Sequence, residues 1–399
     1  MSLLKFLRGL FYQKPSDTTN NLDEAIVISC YFNPLHSPYR LKAFKRFYEG
    51  IKNYNHKIIE CVIGDSQPEL SDDFQKVYTK SLLWHKETLL NKIIAELPKK
   101  YKYIFWVDAD LIFTNPNWIE EGVKAMKNGA NMIQPFEYCI HLEKDLYEPN
   151  FNVNAYRKEC SNPITRHKML WRSFCSNHST GLSTHNNYDV HGHVGFAWGI
   201  KREIIEKVPG YLYDKALIGG ADHIMAHAGA GHINHNCITK SFTDNLEEVN
   251  DWSRIFYNAV EGKLGFVTGD VYHIWHGDLK DRQYLKRIQE FTSKSKKIQK
   301  RDENGFYVEE DEDINDYMNN YFLVREVLEE EIIEEIVTDI QFDDGQTDGG
   351  GAGGSWEDIP SDIEEQHNIS ISNYTDNVVH QDTINYNIPD NDYQGSTFS

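Results

Sequence analysis

The sequence predicts an α/β fold built on a largely parallel central sheet. Two observations carry this prediction. Short continuous apolar runs, as in strands buried on both faces, alternate with amphipathic stretches of helical period. Polar residues also gather where the runs end, as they do at the ligand-binding rim of such sheets. Ala25–Cys30 is the first run, followed by the loop Phe32-Asn33-Pro34. A helix from Arg40 to Lys52 leads to a second run, Ile58–Ile63, ending at Gly64-Asp65. Leu82, Leu83, Leu89, Leu90, Ile93 and Ile94 form a helix-period stripe that Pro98 closely follows. The run Tyr103–Val107 meets Asp108-Ala109-Asp110, and a helix from Trp118 to Asn128, closed by Gly129, precedes the strand Met132–Gln134. Phe151 to Gly192 is irregular, a loop-rich insertion forming part of a pocket. Asn33, Asp65 and Asp108 thus converge on one rim. There is no internal repeat and no glycine-rich phosphate loop.

Charge divides the 399-residue chain. From Asp302 onward there are 27 acidic residues and one basic residue, Arg325, whereas Met1 to Arg301 holds 34 acids and 40 bases. A mildly basic body therefore carries a strongly acidic tail, whose low hydrophobicity cannot offset the entropy of ordering. The expected organisation is an N-terminal segment 1–23, a folded domain 24–327 and an acidic, disordered tail 328–399. Leu3–Tyr12 is short and interrupted by Lys5 and Arg8. It lacks the pattern of a secretory signal and suits a basic amphipathic helix resting on a membrane, or a helix packed on its own domain. No apolar run approaches a membrane span. Six cysteines without metal-type or disulfide-type spacing fit a reducing compartment, so a cytoplasmic protein is expected.

Three blocks carry chemistry. Side chains two apart in a strand share a side, so Asp108 and Asp110 would point the same way, suiting a hard divalent cation that carries a diphosphate. His191–Ile200 and Ile218–His223 form the second block. In it, Gly219 and Gly220 permit close backbone approach to a ligand, and Asp222 could serve as general base. A first-turn acid favoured by the helix dipole is the structural alternative for Asp222. In the third block, Val271–Asp278, one of two histidines would complete a metal site.

Together these blocks resemble the metal-dependent GT-A-type glycosyltransferases, particularly bacterial and phage relatives with the same motif order. The resembling elements are Ser29–Asn33, Trp84–Glu87 with Asn91, Trp106–Asp110, Gly195–Trp198, Gly219–His223, and His273–Gly277 followed by Arg282. The resemblance spans roughly residues 24 to 325. It implies a Rossmann-like nucleotide-sugar half joined to an acceptor half. Asp108 and Asp110 would bind Mn2+ or Mg2+ and the ribose-diphosphate. His276 would be the third metal ligand, with His273 as runner-up, and Asp222 the base as in inverting members; retaining relatives also exist, so the resemblance leaves the anomeric outcome open. One departure stands out: some inverting galactosyltransferases have Glu-Asp after the double glycine, where this chain has Ala221-Asp222.

The expected activity is transfer of a sugar from a nucleotide-diphosphate sugar to an acceptor hydroxyl. Asn33, Asp65 and Lys86 are candidates for the nucleotide end. His193, Phe196, Trp198, Gly219 and Gly220 are candidates for the acceptor side, with Phe196 and Trp198 as a flat apolar wall or, alternatively, core. A glycan is the first expectation for the acceptor, a hydroxylated base in DNA the second and a protein the third; the body lacks a pronounced nucleic-acid charge footprint. The rivals are a metal-dependent hydrolase and a non-catalytic sugar-binding protein. His223 and His227 have the i,i+4 spacing of a zinc peptidase but lack the glutamate that should follow the first histidine.

Overall fold

The computed structural model describes residues 22–142, 144, 170–184, 188–242, 245–277, 300–309 and 313–322. The expectations for segment 1–21, for Arg282 and for the acidic tail lie outside these residues. The chain divides into two units, Met1–Val337 and Thr338–Ser399, and everything below belongs to the first.

Seven strands form the main sheet: β1 (Ala25–Phe32), β2 (His56–Ile63), β3 (Gln75–Thr79), β4 (Tyr103–Val107), β6 (Met132–Gln134), β9 (Ala197–Lys201) and β10 (Leu264–Phe266). Their order is β10-β6-β9-β4-β1-β2-β3. All pairings are parallel except those of β9, which runs antiparallel to both β4 and β6. The α/β expectation with a largely parallel sheet therefore stands. Because β4, β1 and β2 are adjacent and parallel, Asp108, Asn33 and Asp65 leave the sheet at the same edge. A second sheet, β5-β11-β7-β8, comprises β5 (Leu111–Phe113), β7 (Tyr138–His141), β8 (Leu170–Arg172) and β11 (Asp270–His273).

Period-two alternation sorts the strand residues between two cores. Ile26, Ile28, Ile59, Ile104, Trp106, Trp198 and Ile200 face one way, toward helices α2 (Lys86–Glu96), α7 (Ala221–Ala230) and α9 (Leu246–Val260). Val27, Ile58, Phe105, Val107 and Ala197 face the other, toward α1 (Pro38–Ile51) and α3 (Trp118–Lys127). The two layers approach closely over Phe105: a Cβ at Gly199 would sit 2.7 Å from the ring, and one at Gly122 2.8 Å from it. The shorter helices are α4 (Phe174–His178), α5 (Tyr188–His191), α6 (Arg202–Ile205) and α8 (Asn236–Ser241).

Helix α2 starts later than the apolar stripe predicts. Leu82–His85 are outside it: Trp84 N–H donates to Leu217 O at 2.7 Å, and Leu83 packs with Ile218, Tyr307 and Met318. That is tertiary packing of a segment whose apolar spacing reads as helical. Part of the expected insertion is ordered as well, since β8 and α4 fall within it.

Candidate active site

β4 ends at Val107, and the Asp108 N–H still donates to Phe196 O at 2.8 Å. The chain then turns at Ala109-Asp110 instead of continuing extended. This corrects the expectation that strand periodicity points both carboxylates one way. Asp108 faces Lys86 (Nζ to Oδ1 2.7 Å), whereas Asp110 faces His276 (Nε2 to Oδ2 2.9 Å) and His273 (3.6 Å). Asp110, His273 and His276 bring ligand atoms within 4.8 Å of one another; Asp108 is not in that group. The pairing of β11 with β5 builds the group, setting His273 opposite Leu111, while Ile274 N–H donates to Asp110 O at 2.8 Å. Asp110 Oδ1 is buried and has no hydrogen-bond partner. Burial opposes ionisation of Asp110, yet His273 and His276 outweigh it and hold the carboxyl well below the usual range.

Lys86 is the first residue of α2, an unfavourable place for a cation at the positive end of a helix dipole. It is held there by two carboxylates, Asp108 and, at 3.0 Å, Asp222 Oδ2. Burial would lower the ammonium pKa, but Asp108 and Asp222 prevail and it stands well above its ordinary value. Burial pushes the Asp108 carboxyl up to about 7 against the pull of Lys86, and does the same to Glu87, up to about 8. Asp222 sits in the first turn of α7, introduced by Gly219 and Gly220 at φ 93° and 98°. Two consecutive left-handed residues require glycine, so the double glycine aims the helix start. Asp222 Oδ1 is buried without a hydrogen-bond partner.

Phe196 adopts φ 81°, strained for a bulky side chain. The turn places its ring between His193 (centroids 4.1 Å apart) and His273 (5.0 Å), nearly parallel to both. Gly195 N–H donates to His193 Nδ1 at 3.2 Å, and a Cβ at Gly195 would lie 3.6 Å from Asp222 Oδ2. His193, Gly195 and Phe196 therefore border the carboxylates. Trp198 does not. It is fully buried, stacks on Trp106 at 6.5 Å and donates its indole N–H to Val194 O at 2.9 Å. Its register opposite Trp106 turns it inward, which corrects its assignment to an acceptor wall.

At the carboxyl ends of β1 and β2 lies a cleft lined by Tyr31, Asn33, His36, Glu60, Ser66 and Glu69, among others. Asn33 Nδ2 donates to Tyr31 Oη, Ser37 O and Glu69 Oε2, while its Oδ1 accepts from Ser37 N–H. Its amide thus shapes the cleft wall. Asp65 is exposed on the left-handed turn at Gly64 (φ 58°). Glu69, which accepts from Tyr31 and Asn33, was not anticipated from sequence, since it follows no apolar run.

No family model matches the chain, and no curated protein matches it. Among solved structures it is similar to glucosyl-3-phosphoglycerate synthase from Mycobacterium tuberculosis. The crystal with Mn2+, UDP and glucosyl-3-phosphoglycerate gives 11% identity over 70% of this chain and 80% of that one, with a TM-score of 0.34. The crystal of the same protein with Mn2+ and UDP-glucose gives 10% identity, the same coverage and a TM-score of 0.36. S. aureus TarS 1-349 matches at 5% identity over 68% of this chain and 65% of that one, with a TM-score of 0.33. Among the described residues, no helix is long and apolar enough to cross a membrane.

Proposed function

We propose that the chain is a GT-A-type glycosyltransferase that moves a sugar from a nucleotide-diphosphate sugar to an acceptor hydroxyl, a glycan in the first instance. The observation that carries this reading is that Lys86 ties Asp222, a carboxylate with an unpartnered oxygen, to Asp108, two residues before the Asp110 that groups with His273 and His276. Asp110, His273 and His276 fit a divalent cation, because an orphaned carboxylate oxygen and two imidazoles converge there. The nitrogen ligands favour Mn2+ over Mg2+, which prefers an all-oxygen shell. Bound there, the cation would neutralise the departing diphosphate.

The remaining chemistry falls to the chain itself. The acceptor hydroxyl donates its proton to Asp222 Oδ1 as its oxygen bonds to the anomeric carbon and the bond from that carbon to the diphosphate breaks. Lys86, holding Asp222 Oδ2, fixes the carboxylate's orientation. Asp65 and the Asn33 cleft take the nucleoside end, and His193, Phe196 and the Gly219-Gly220 backbone border the acceptor. The test is release of nucleoside diphosphate from a panel of nucleotide sugars with Mn2+ and candidate acceptors. EDTA and Asp110→Ala should each abolish release; undiminished turnover in either overturns the reading.

A further inference from the structure

A second group of metal-binding side chains lies behind Asp222. His223 and His227 stand one turn apart on α7, His191 ends α5, and Cys237 lies in the first turn of α8. Their ligand atoms all lie within 4.8 Å of one another. The rings meet closely: centroids are 5.2 Å apart for His191–His223, 5.0 Å for His191–His227 and 4.9 Å for His223–His227. His191 and His227 are completely buried, and neither ring nitrogen of His227 has a hydrogen-bond partner.

Packing alone is a poor reason for this arrangement. A buried polar ring without a hydrogen bond is costly, and here the three imidazoles crowd together with a fourth, His235, stacked on His227 at 4.2 Å, while no carboxylate shares the group among the described residues. His191 Nδ1–H donates to Gly192 O at 2.9 Å, a contact that fixes the tautomer and leaves Nε2 as the ligand atom.

We propose that His191, His223, His227 and Cys237 hold a structural zinc ion. Three nitrogens and one sulfur, with no oxygen, are a donor set for Zn2+ and a poor one for Mn2+ or Mg2+. Bonds of about 2.0–2.3 Å in a tetrahedron put ligand atoms roughly 3.3–3.8 Å apart, a spacing small side-chain rotations reach from the present one. All four positions are filled by the protein and no glutamate follows His223, so the ion is structural and not hydrolytic. It ties the first turns of α7 to α5 and α8. Because Asp222 immediately precedes His223, the ion positions the proposed base without touching substrate.

The full-length chain, reconstituted with Zn2+ and desalted, should hold zinc by elemental analysis, and so should Asp110→Ala, which lacks the other cluster. Co2+ in place of zinc should give intense tetrahedral visible bands and a thiolate-to-cobalt charge-transfer band. Cys237→Ala should lose that band, and His227→Gln should lose most of the metal. Wild-type protein that keeps no zinc overturns the proposal even if both variants misfold. A wild-type cobalt spectrum in Cys237→Ala overturns it as well.

Discussion

Lys86 is the residue on which the two sides of the site meet, since one ammonium binds both Asp108 and Asp222. Its partner Asp222 yields the sharpest prediction. Asp222→Asn keeps the shape and a group able to accept from Lys86, but cannot take a proton. Turnover should fall by about a hundredfold or more with donor affinity nearly unchanged, a loss far beyond the drop in melting temperature that follows when buried Lys86 keeps only one charged partner. A loss of only a few-fold would leave Asp222 a first-turn acid serving the helix dipole. At this scale the sequence was informative where chemistry and spacing coincide: His276 meets Asp110, and Asp222 meets Lys86 beside Asp108. It misled where orientation depends on a distant strand. Trp198 turns inward because β9 pairs with β4, and Asp108 parts from Asp110 at a turn that two-residue spacing does not reveal.

Among the elements, the start of α2 is the most informative. His85 precedes its first residue, is buried against Phe306 (ring centroids 4.9 Å apart), and neither ring nitrogen has a hydrogen-bond partner. Burial depresses its pKa to about 4, with Asp302 pulling upward and Arg301 downward. The unfolded chain binds a proton near pH 6.5 that the folded chain refuses until about pH 4, so stability falls as pH drops through that window. The contribution reaches about 3 kcal/mol at the acid end. His85→Leu should therefore lose less melting temperature than wild type between pH 7 and pH 5. A wild-type-to-variant difference that stays constant with pH would sink this account. The long runs β1, β2 and β4 were legible as strands. β5, β7 and β8 were not, because three or four residues show no period; β6, equally short, was legible only from the helix and Gly129 that precede it. The antiparallel course of β9 is likewise invisible to local pattern.

For the whole molecule, the acidic composition of the tail predicts that truncation after Val327 leaves melting temperature and activity unchanged. Truncation after Val308 should not be tolerated, because the helical segment 313–322 buries Ile314, Met318 and Phe322 against Leu83, Leu217 and Tyr307. Thermal melts of the two truncated chains test the boundary; an early melt of the longer one would extend the fold past Val327. The pairing of β5 with β11 bears on the order in which the protein is made. Asp110 leaves the ribosome long before His273 and His276, and loop closure over that distance precedes any contact between them. Until β11 emerges and pairs, a nascent chain already carrying Asp108 and Asp110 lacks both imidazoles that group with Asp110. Asp110 and its two imidazole partners therefore come together only once His276 has been made, about two thirds of the way along the 399-residue sequence.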